Sequence, residues 1–135
     1  MTATTDRPNA GQLALLRYSS LATAIAALLQ FLLGGYMFTS PSATLADTHN
    51  IIGLVTIGVS LIATIAGFVN RSRGGNSGLA FHILGTFILT LVQFSLGEIG
   101  LSGSMVMVHM ALGTAILVSA IAMTTLAFRK PFARS

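Results

Sequence analysis

Four long apolar stretches alternate with short polar segments along the chain. They cover residues 18–37, 50–69, 79–97 and 105–128, and none of them contains Asp, Glu, Lys or Arg. About 20 apolar residues are enough for a helix that crosses a bilayer, and short connections make consecutive helices antiparallel neighbours. The pattern predicts an all-α integral membrane protein, a four-transmembrane-helix bundle that forms one domain over residues 1–135.

The placement of the charges adds an orientation to this prediction. Of 135 residues, 53% are hydrophobic and 7% are charged, whereas an ordinary soluble domain has about 25% charged residues. The Lys and Arg residues precede the first span, separate the second from the third, or follow the fourth: Arg7, Arg17, Arg71, Arg73, Arg129, Lys130 and Arg134. Because cytoplasmic segments keep Lys and Arg, we expect a multipass protein of the plasma (inner) membrane with both termini cytoplasmic.

The net charge is +4. Because the Lys and Arg residues lie on one side of the spans, we expect them to contact the headgroups of the lipid bilayer, and no nucleic-acid partner is predicted. The chain has no cysteine, which excludes disulfides, thiolate nucleophiles and zinc–thiolate sites.

The second half of the chain resembles the first. Gln30 and Gln93 each begin a Q-F-x-L-G sequence near the end of the first and third spans. Alignment of His49 with His109 also matches Ser42 with Ser102 and Gly53 with Gly113. Because Gln and His are rare inside spans, we interpret the bundle as two tandem helical hairpins with pseudo-twofold symmetry about the membrane normal.

The two matched histidines are the strongest candidates for a site. If Ser42 and Ser102 cap their helices, His49 and His109 lie about two turns inside the outer boundary. Two neutral imidazoles that face each other across the bundle centre have the axial arrangement of a six-coordinate haem.

We therefore predict one b-type haem between the second and fourth helices, near the outer leaflet, with His49 and His109 as its metal ligands. Gly53 and Gly113 lie one turn below the imidazoles on the same faces and would leave space for the ring. Gln30 and Gln93 would donate to a propionate or accept a hydrogen bond from an imidazole Nδ1–H. No catalytic residue is predicted.

The layout resembles one four-helix half of the haem A synthase family, on the strength of His49 with Gly53 and His109 with Gly113. In that family, haem-ligating histidines lie near the outer starts of the second and fourth helices, so the resemblance implies that His49 and His109 are axial ligands. The chain departs from the family at Ala46, where members often have a glutamate, and it lacks the cysteine pair of some members. The chain corresponds to only one of the two four-helix halves of a family member, and a homodimer would restore eight helices.

Other assignments of these residues remain open. Met105, Met107 and Met110 surround His109, and Met37 ends the first span on the same side. Thioethers and imidazoles suit Cu(I), but methionine is also a common packing residue, so copper ranks below haem. His82 has no histidine counterpart in the repeat, and we expect it to make an interhelical hydrogen bond or a headgroup contact.

Three functions follow from this interpretation. The first is a small membrane cytochrome-like protein for electron transfer or haem handling, with an unknown redox partner. The second is a haem A synthase-like oxidoreductase, for which Asp47 and Glu98 are the available acid–base residues, although a helix cap or a solvated charge is the simpler explanation of Asp47. The third is a cofactor-free accessory subunit of a larger membrane complex, because small and hydroxyl residues alone support helix packing.

Overall fold

Four α-helices make up the fold. The computed structural model describes residues 8–100 and 102–132, and each helix is long and apolar enough to cross a membrane. The helices are α1 (Ala10–Thr39), α2 (Ala43–Ser72), α3 (Ser77–Glu98) and α4 (Ser104–Arg129). The prediction of four helices is confirmed at this level.

The helices extend beyond the apolar stretches that predicted them, most of all at the start of α1. Asn9 caps this helix: its Oδ1 accepts from the Gln12 backbone N–H at 2.9 Å, and the Gln12 side chain accepts from the Asn9 N–H at 3.1 Å. This reciprocal capping satisfies two backbone donors of the helix terminus. Hydropathy marks only the apolar part of a helix, so it missed the polar first turns.

The helices form a ring in which each one packs against its two neighbours. α1 contacts α2 and α4, and α3 contacts the same two helices. Within the described residues, the backbones of the diagonal pairs, α1 with α3 and α2 with α4, make no close approach. A side chain from α2 therefore meets one from α4 only by reaching across the centre of the ring.

Small and hydroxyl-bearing side chains fill much of this centre, while large apolar side chains face outward. The buried positions follow the spacing of the sequence repeat, because both members of several repeat-related pairs are buried: Leu16 and Leu79, Thr23 and Thr86, Ser60 and Ala120, Ala63 and Met123. Most buried hydroxyls donate to the carbonyl four residues earlier, as Thr64 does to Ser60 at 2.8 Å. Such residues allow close helix approach.

The loop between α2 and α3 holds the end of α4. The buried Asn70 donates from Nδ2 to the Pro131 carbonyl at 2.7 Å, and the Asn76 backbone N–H donates to the same carbonyl at 3.0 Å. Asn70 also accepts from the Gly75 N–H at 2.9 Å through its own carbonyl. These bonds close the bundle at the end where α2 and α4 terminate.

All five described cations lie at this end: Arg17, Arg71, Arg73, Arg129 and Lys130. Two of them stack on aromatic rings, with Arg17 5.6 Å from the Phe128 centroid and Arg71 4.8 Å from the Phe81 centroid. Arg7 and Arg134, which were part of the orientation prediction, lie outside the described residues. The opposite end carries the α1–α2 and α3–α4 connections.

The two serines expected to cap α2 and α4 differ. Ser42 is the N-cap of α2, and its Oγ accepts from the Leu45 N–H at 3.2 Å. The prediction for Ser102 is wrong, because the N-cap of α4 is Gly103, at φ 57°, with no side-chain capping bond. Glycine tolerates this left-handed conformation, which a serine would adopt only with strain.

Candidate cofactor-binding site

A cavity of about 600 Å³ opens at the end of the bundle that carries the α1–α2 and α3–α4 connections. Ligand pockets commonly have about 300–1,000 Å³, so its size suits an organic molecule. All four helices contribute to its wall, and none of the lining residues is charged. The six residues predicted for the site all line it: Gln30, His49, Gly53, Gln93, His109 and Gly113.

The imidazoles of His49 and His109 come from the diagonal helices α2 and α4 and meet inside this cavity. Their ring centroids are 6.4 Å apart, with the ring planes inclined at 57°. In both rings Nδ1 is buried and has no hydrogen-bond partner within the described residues. Nε2 is thus the nitrogen available to a molecule in the cavity.

The centroid distance of the two imidazoles is close to that of two ligands on opposite sides of one metal ion, and it also lies in the range of about 4.5–7 Å found for packed ring pairs. Imidazole binds a first-row metal such as zinc at about 2.0–2.1 Å. With about 1.1 Å more from nitrogen to ring centre, two opposed ligands have centroids about 6.3 Å apart. The measured 6.4 Å between His49 and His109 lies close to this value.

Each histidine is tied to the glutamine of its own hairpin. Gln30 donates from Nε2 to the His49 backbone carbonyl at 2.8 Å, and Gln93 donates to the His109 carbonyl at 3.0 Å. These bonds fix the orientation of both amides, because only the nitrogen can donate. Oε1 of each glutamine is buried and unpartnered within the described chain, so an unused acceptor lies in the same hairpin as each unused Nδ1.

Gly53 and Gly113 make room for these glutamines. A Cβ on Gly53 would lie 2.7 Å from Gln30 Nε2 and 3.0 Å from the Phe94 ring, and a Cβ on Gly113 would lie 3.1 Å from Gln93 Nε2. Both glycines line the cavity as predicted, but a glutamine amide occupies the space next to each Cα. The main effect of these two glycines is therefore to make room for the glutamine amides that bond to the histidine carbonyls. Any widening of the cavity is a smaller effect.

Sequence reasoning missed two further glycines, Gly34 and Gly97, which lie beside the imidazoles. A Cβ on Gly34 would lie 3.4 Å from Cε1 of His49, and a Cβ on Gly97 would lie 3.5 Å from Cε1 of His109. Both glycines end the repeated Q-F-x-L-G sequence. Their four-residue spacing from Gln30 and Gln93, which places them on the same helix face, is the signal that would have found them.

His82 lies outside the cavity and makes an interhelical hydrogen bond. Its Nε2 is 3.2 Å from both the carbonyl oxygen and the hydroxyl of Ser119, and Thr86 Oγ1 is 2.7 Å from the same hydroxyl. The first of the two roles expected for this histidine is the one the structure contains, and it joins α3 to α4.

Asp47, Glu98 and two of the four methionines considered for copper do not line the cavity. Asp47 and Glu98 are exposed and absent from its wall. Asp47 lies within α2, which is capped by Ser42, so a capping role for Asp47 is excluded. Of the four methionines considered for copper, Met37 and Met110 line the cavity, whereas Met105 and Met107 do not.

The donor set at the site consists of two imidazoles. No group of three or more His, Cys, Asp or Glu side chains comes together in residues 8–100 and 102–132. Two neutral nitrogens are too few to complete the shell of a bare tetrahedral or octahedral metal ion. They suit a metal whose other ligands arrive with it, as the four pyrrole nitrogens of a porphyrin do.

Comparison with known proteins adds no family to this description, since no family model, no curated protein and no solved structure matches the chain. Any function must therefore be argued from the four-helix bundle and its cavity.

Proposed function

We propose that the chain is a multipass protein of the inner membrane with both termini in the cytoplasm. The support is the length and apolar character of the four helices and the position of every described Lys and Arg at one end of the bundle. Positive residues are retained on the cytoplasmic side. The cavity then opens toward the outer surface.

The proposal includes a pseudo-twofold relationship between the hairpins α1–α2 and α3–α4. In its favour, the two hairpins contain the same glutamine-to-histidine hydrogen bond. Each also packs its histidine against a glycine of the preceding helix. A twofold axis along the membrane normal brings such equivalent residues to the same depth on opposite sides of the centre.

The function proposed for this bundle is that of a small membrane cytochrome that holds one b-type haem between α2 and α4, for one-electron transfer or haem handling. The observation that carries it is the pair His49 and His109, 6.4 Å apart between ring centroids in a cavity of about 600 Å³. The haem, when bound, supplies the redox chemistry, and axial ligands and their hydrogen bonds tune it.

The residues present fit this group. His49 and His109 would bind the iron through Nε2, which leaves each Nδ1–H in need of an acceptor. The buried, unpartnered Oε1 atoms of Gln30 and Gln93 are the acceptors that we propose for them when haem is bound. Such a partner fixes the tautomer and raises the basicity of the ligand.

Each part of the chain has a defined role in this function. The glutamines hold and orient the imidazoles, and the glycines allow the helices to approach closely. The cavity wall contains no charged residue, so it lowers the local dielectric constant around a bound group. No Lys or Arg lines the cavity, and the exposed amide of Asn50, next to His49 in α2, is a donor on the wall that is available to ring carboxylates.

Copper is a second candidate because Met37 and Met110 line the same cavity as the two histidines. Thioether and imidazole ligands suit Cu(I). The size of the cavity favours haem, since a single ion would leave most of 600 Å³ unfilled. A haem-modifying oxidoreductase has less support, because the two acidic residues proposed for acid–base chemistry are exposed and outside the cavity wall.

An absorption spectrum of the detergent-purified protein, oxidised and then reduced, tests the proposal. We expect a Soret band with sharp α and β bands on reduction, and His49→Ala and His109→Ala should each alter the spectrum, while His82→Ala should leave it unchanged. A colourless protein that binds no added haemin but retains copper would favour the copper site. A protein that binds neither would support the cofactor-free accessory subunit.

A further inference from the structure

The two hairpins hold their histidines unequally. In α2 the first buried residue is Gly53, about one turn after His49, whereas in α4 it is Ile116, about two turns after His109. Beyond this turn the helices are alike, since Thr56 and Ser60 of α2 are buried and so are their counterparts Ile116 and Ala120 of α4. The difference in packing is therefore confined to the turn after each histidine, where Gly53 is buried and Gly113 is half-buried.

The N-termini of the two helices also differ, and α4 is again the less strongly held of the two. Ser42 caps α2 with a side-chain hydrogen bond to the Leu45 N–H, seven residues before His49. Gly103 begins α4 without such a bond, six residues before His109. A side-chain cap stabilises the first turn against fraying, so the turns before His109 unfold more readily than those before His49.

A repeat-related pair of aromatic rings adds a third difference. Phe94 of α3 packs on Gly53 of α2, with Cδ2 3.0 Å from a Cβ built there. Its counterpart in the first hairpin, Phe31, is 45% exposed, and no atom of it lies within 4 Å of a Cβ on Gly113. The glycine next to His49 is thus covered by an aromatic ring and the glycine next to His109 is not.

We propose that His49 is the permanent ligand of the site and His109 an exchangeable one, so that a small neutral ligand with a lone pair can bind on the α4 side. This inference rests on the haem site proposed above. With haem bound, the exchange would be a simple ligand substitution: His109 would release the metal as a neutral imidazole, and the incoming lone pair would take its place. No electron is transferred.

Hydrogen exchange of the cofactor-free protein tests the difference between the helices. We expect the backbone amides of residues 108–114 to exchange about fivefold faster or more than those of residues 47–53, the factor that corresponds to loss of a typical helix cap. Equal rates, or faster exchange in residues 47–53, would overturn the assignment of α4 as the more weakly held helix.

Carbon monoxide is the probe for the exchangeable position in the reduced, haem-loaded protein. The His109→Ala variant should retain haem through His49 and bind carbon monoxide rapidly, with a shifted Soret band. The His49→Ala variant should lose most of its haem during purification. The reverse pattern, with haem retained by His49→Ala and lost by His109→Ala, would contradict the proposal, and so would equal retention by both.

The two phenylalanines provide a matched control for the packing argument. In the His109→Ala background, Phe94→Ala should lower haem retention, because it uncovers Gly53 beside the remaining ligand. Phe31→Ala in the same background should lower haem retention less, because both rings line the cavity but Phe31 covers neither Gly53 nor Gly113. If wild-type protein binds no haem, the proposed function and this ligand assignment both fail, while the hydrogen-exchange comparison still decides whether α4 is the weaker helix.

Discussion

The imidazole of His49 packs edge-on against Gly34 of the preceding helix, with Cε1 3.4 Å from the place where a Cβ would be. His109 and Gly97 repeat this arrangement at 3.5 Å in the second hairpin. The first helix of each hairpin also contributes a glutamine to the contact: Gln30 packs against Gly53, and Gln93 packs against Gly113. The two helices of a hairpin therefore interlock through two exchanged side chains, and each glycine accommodates a polar group from its neighbour.

The first prediction is that bulk at Gly34 or Gly97 displaces the imidazole. A distance of 3.4 Å is ordinary van der Waals contact, so Gly34→Ala should be tolerated, whereas Gly34→Leu should push the ring out of line. Overpacking of this kind costs about 1–3 kcal/mol, which corresponds to haem binding weaker by about fivefold or more. Haemin titration of the cofactor-free protein measures it.

Gly58→Leu is the control for this substitution. Gly58 is exposed on α2, outside the cavity wall, and has no atom within 4 Å of a built Cβ. Its haem affinity should equal that of the wild type. An equal loss of affinity in Gly58→Leu and Gly34→Leu would mean that any leucine in these helices disturbs the bundle, and the contact argument would fail.

The second prediction concerns the glutamines. Gln30→Met keeps the length of the side chain and removes the bond to the His49 carbonyl. It also removes the unpartnered Oε1 that we propose as the acceptor for Nδ1–H when haem is bound. Interhelical hydrogen bonds in membrane proteins contribute about 0.6 kcal/mol on average, so the free energy of unfolding in detergent should fall by about that amount. A redox titration should give a more positive midpoint potential, because a less basic ligand stabilises ferric iron less.

Thr90→Val is a suitable comparison for Gln30→Met. Thr90 lines the cavity, but its hydroxyl donates only to the Thr86 carbonyl of its own helix. It changes cavity polarity without touching either histidine. If Thr90→Val shifts the potential as far as Gln30→Met does, the effect comes from polarity in general and the positioning role of Gln30 is refuted.

Much of the fold could be predicted because the relevant physical signal is strong. A charge inside a membrane span costs several kcal/mol, so the absence of charges from four long apolar stretches is a strong signal. This signal located every helix. The glutamines and histidines stood out for a related reason, since polar side chains are rare in spans. Their repetition in both halves of the chain predicts one site for Gln30, His49, Gln93 and His109, and all four line the same cavity.

The start of α4, the role of Gly34 and the partner of His82 could not be predicted from the sequence. They depend on backbone conformation, or on residues whose side chains give no indication of function. Ser102 matches Ser42 in the repeat, yet glycines at positive φ, Gly100 and Gly103, change the path of the connection and move the helix start. Gly34 carries no chemistry of its own: its spacing from Gln30 indicates which helix face it is on, but only its distance to His49 shows which side chain it makes room for. Ser119 could not be assigned to His82 because their contact depends on the rotation of α4 about its axis.

The third prediction is that His82 stabilises the bundle without affecting the cofactor. Its Nε2 lies 3.2 Å from both the Ser119 hydroxyl and carbonyl oxygens. A double-mutant cycle with His82→Ala and Ser119→Ala should give a coupling energy of about 0.6 kcal/mol, the mean for such pairs in membranes. The haem spectrum should persist in both single variants. Loss of the Soret band in His82→Ala, with a normal spectrum in His49→Ala, would show that the site has been assigned to the wrong histidine.

The fourth prediction is that Asn70 closes the end of the bundle opposite the cavity. Asn70 is 1% exposed, and its Nδ2 donates to the Pro131 carbonyl at 2.7 Å. Asn70→Ala leaves that acceptor with one donor fewer and opens a gap, which should lower the free energy of unfolding by about 1–3 kcal/mol. Thr125→Ala is the control, because Thr125 is exposed and bonds only within α4. Equal stability of the two variants in detergent would show that the contact to Pro131 is dispensable.

The last prediction concerns the orientation in the membrane. Ser40 and Ser102 lie at the end that carries the cavity, and Ser72 lies at the end of α2 among the cations; all three are exposed, and the chain has no native cysteine. In intact cells a membrane-impermeant maleimide should label Ser40→Cys and Ser102→Cys, because the positive residues keep their end in the cytoplasm. Ser72→Cys should react only after permeabilisation. Ser72 is preferable to the nearby Gly75, where a Cβ would collide with the Asn70 side chain. Labelling of Ser72→Cys in intact cells, with protection of the other two, would invert the orientation and place the haem site at the cytoplasmic surface.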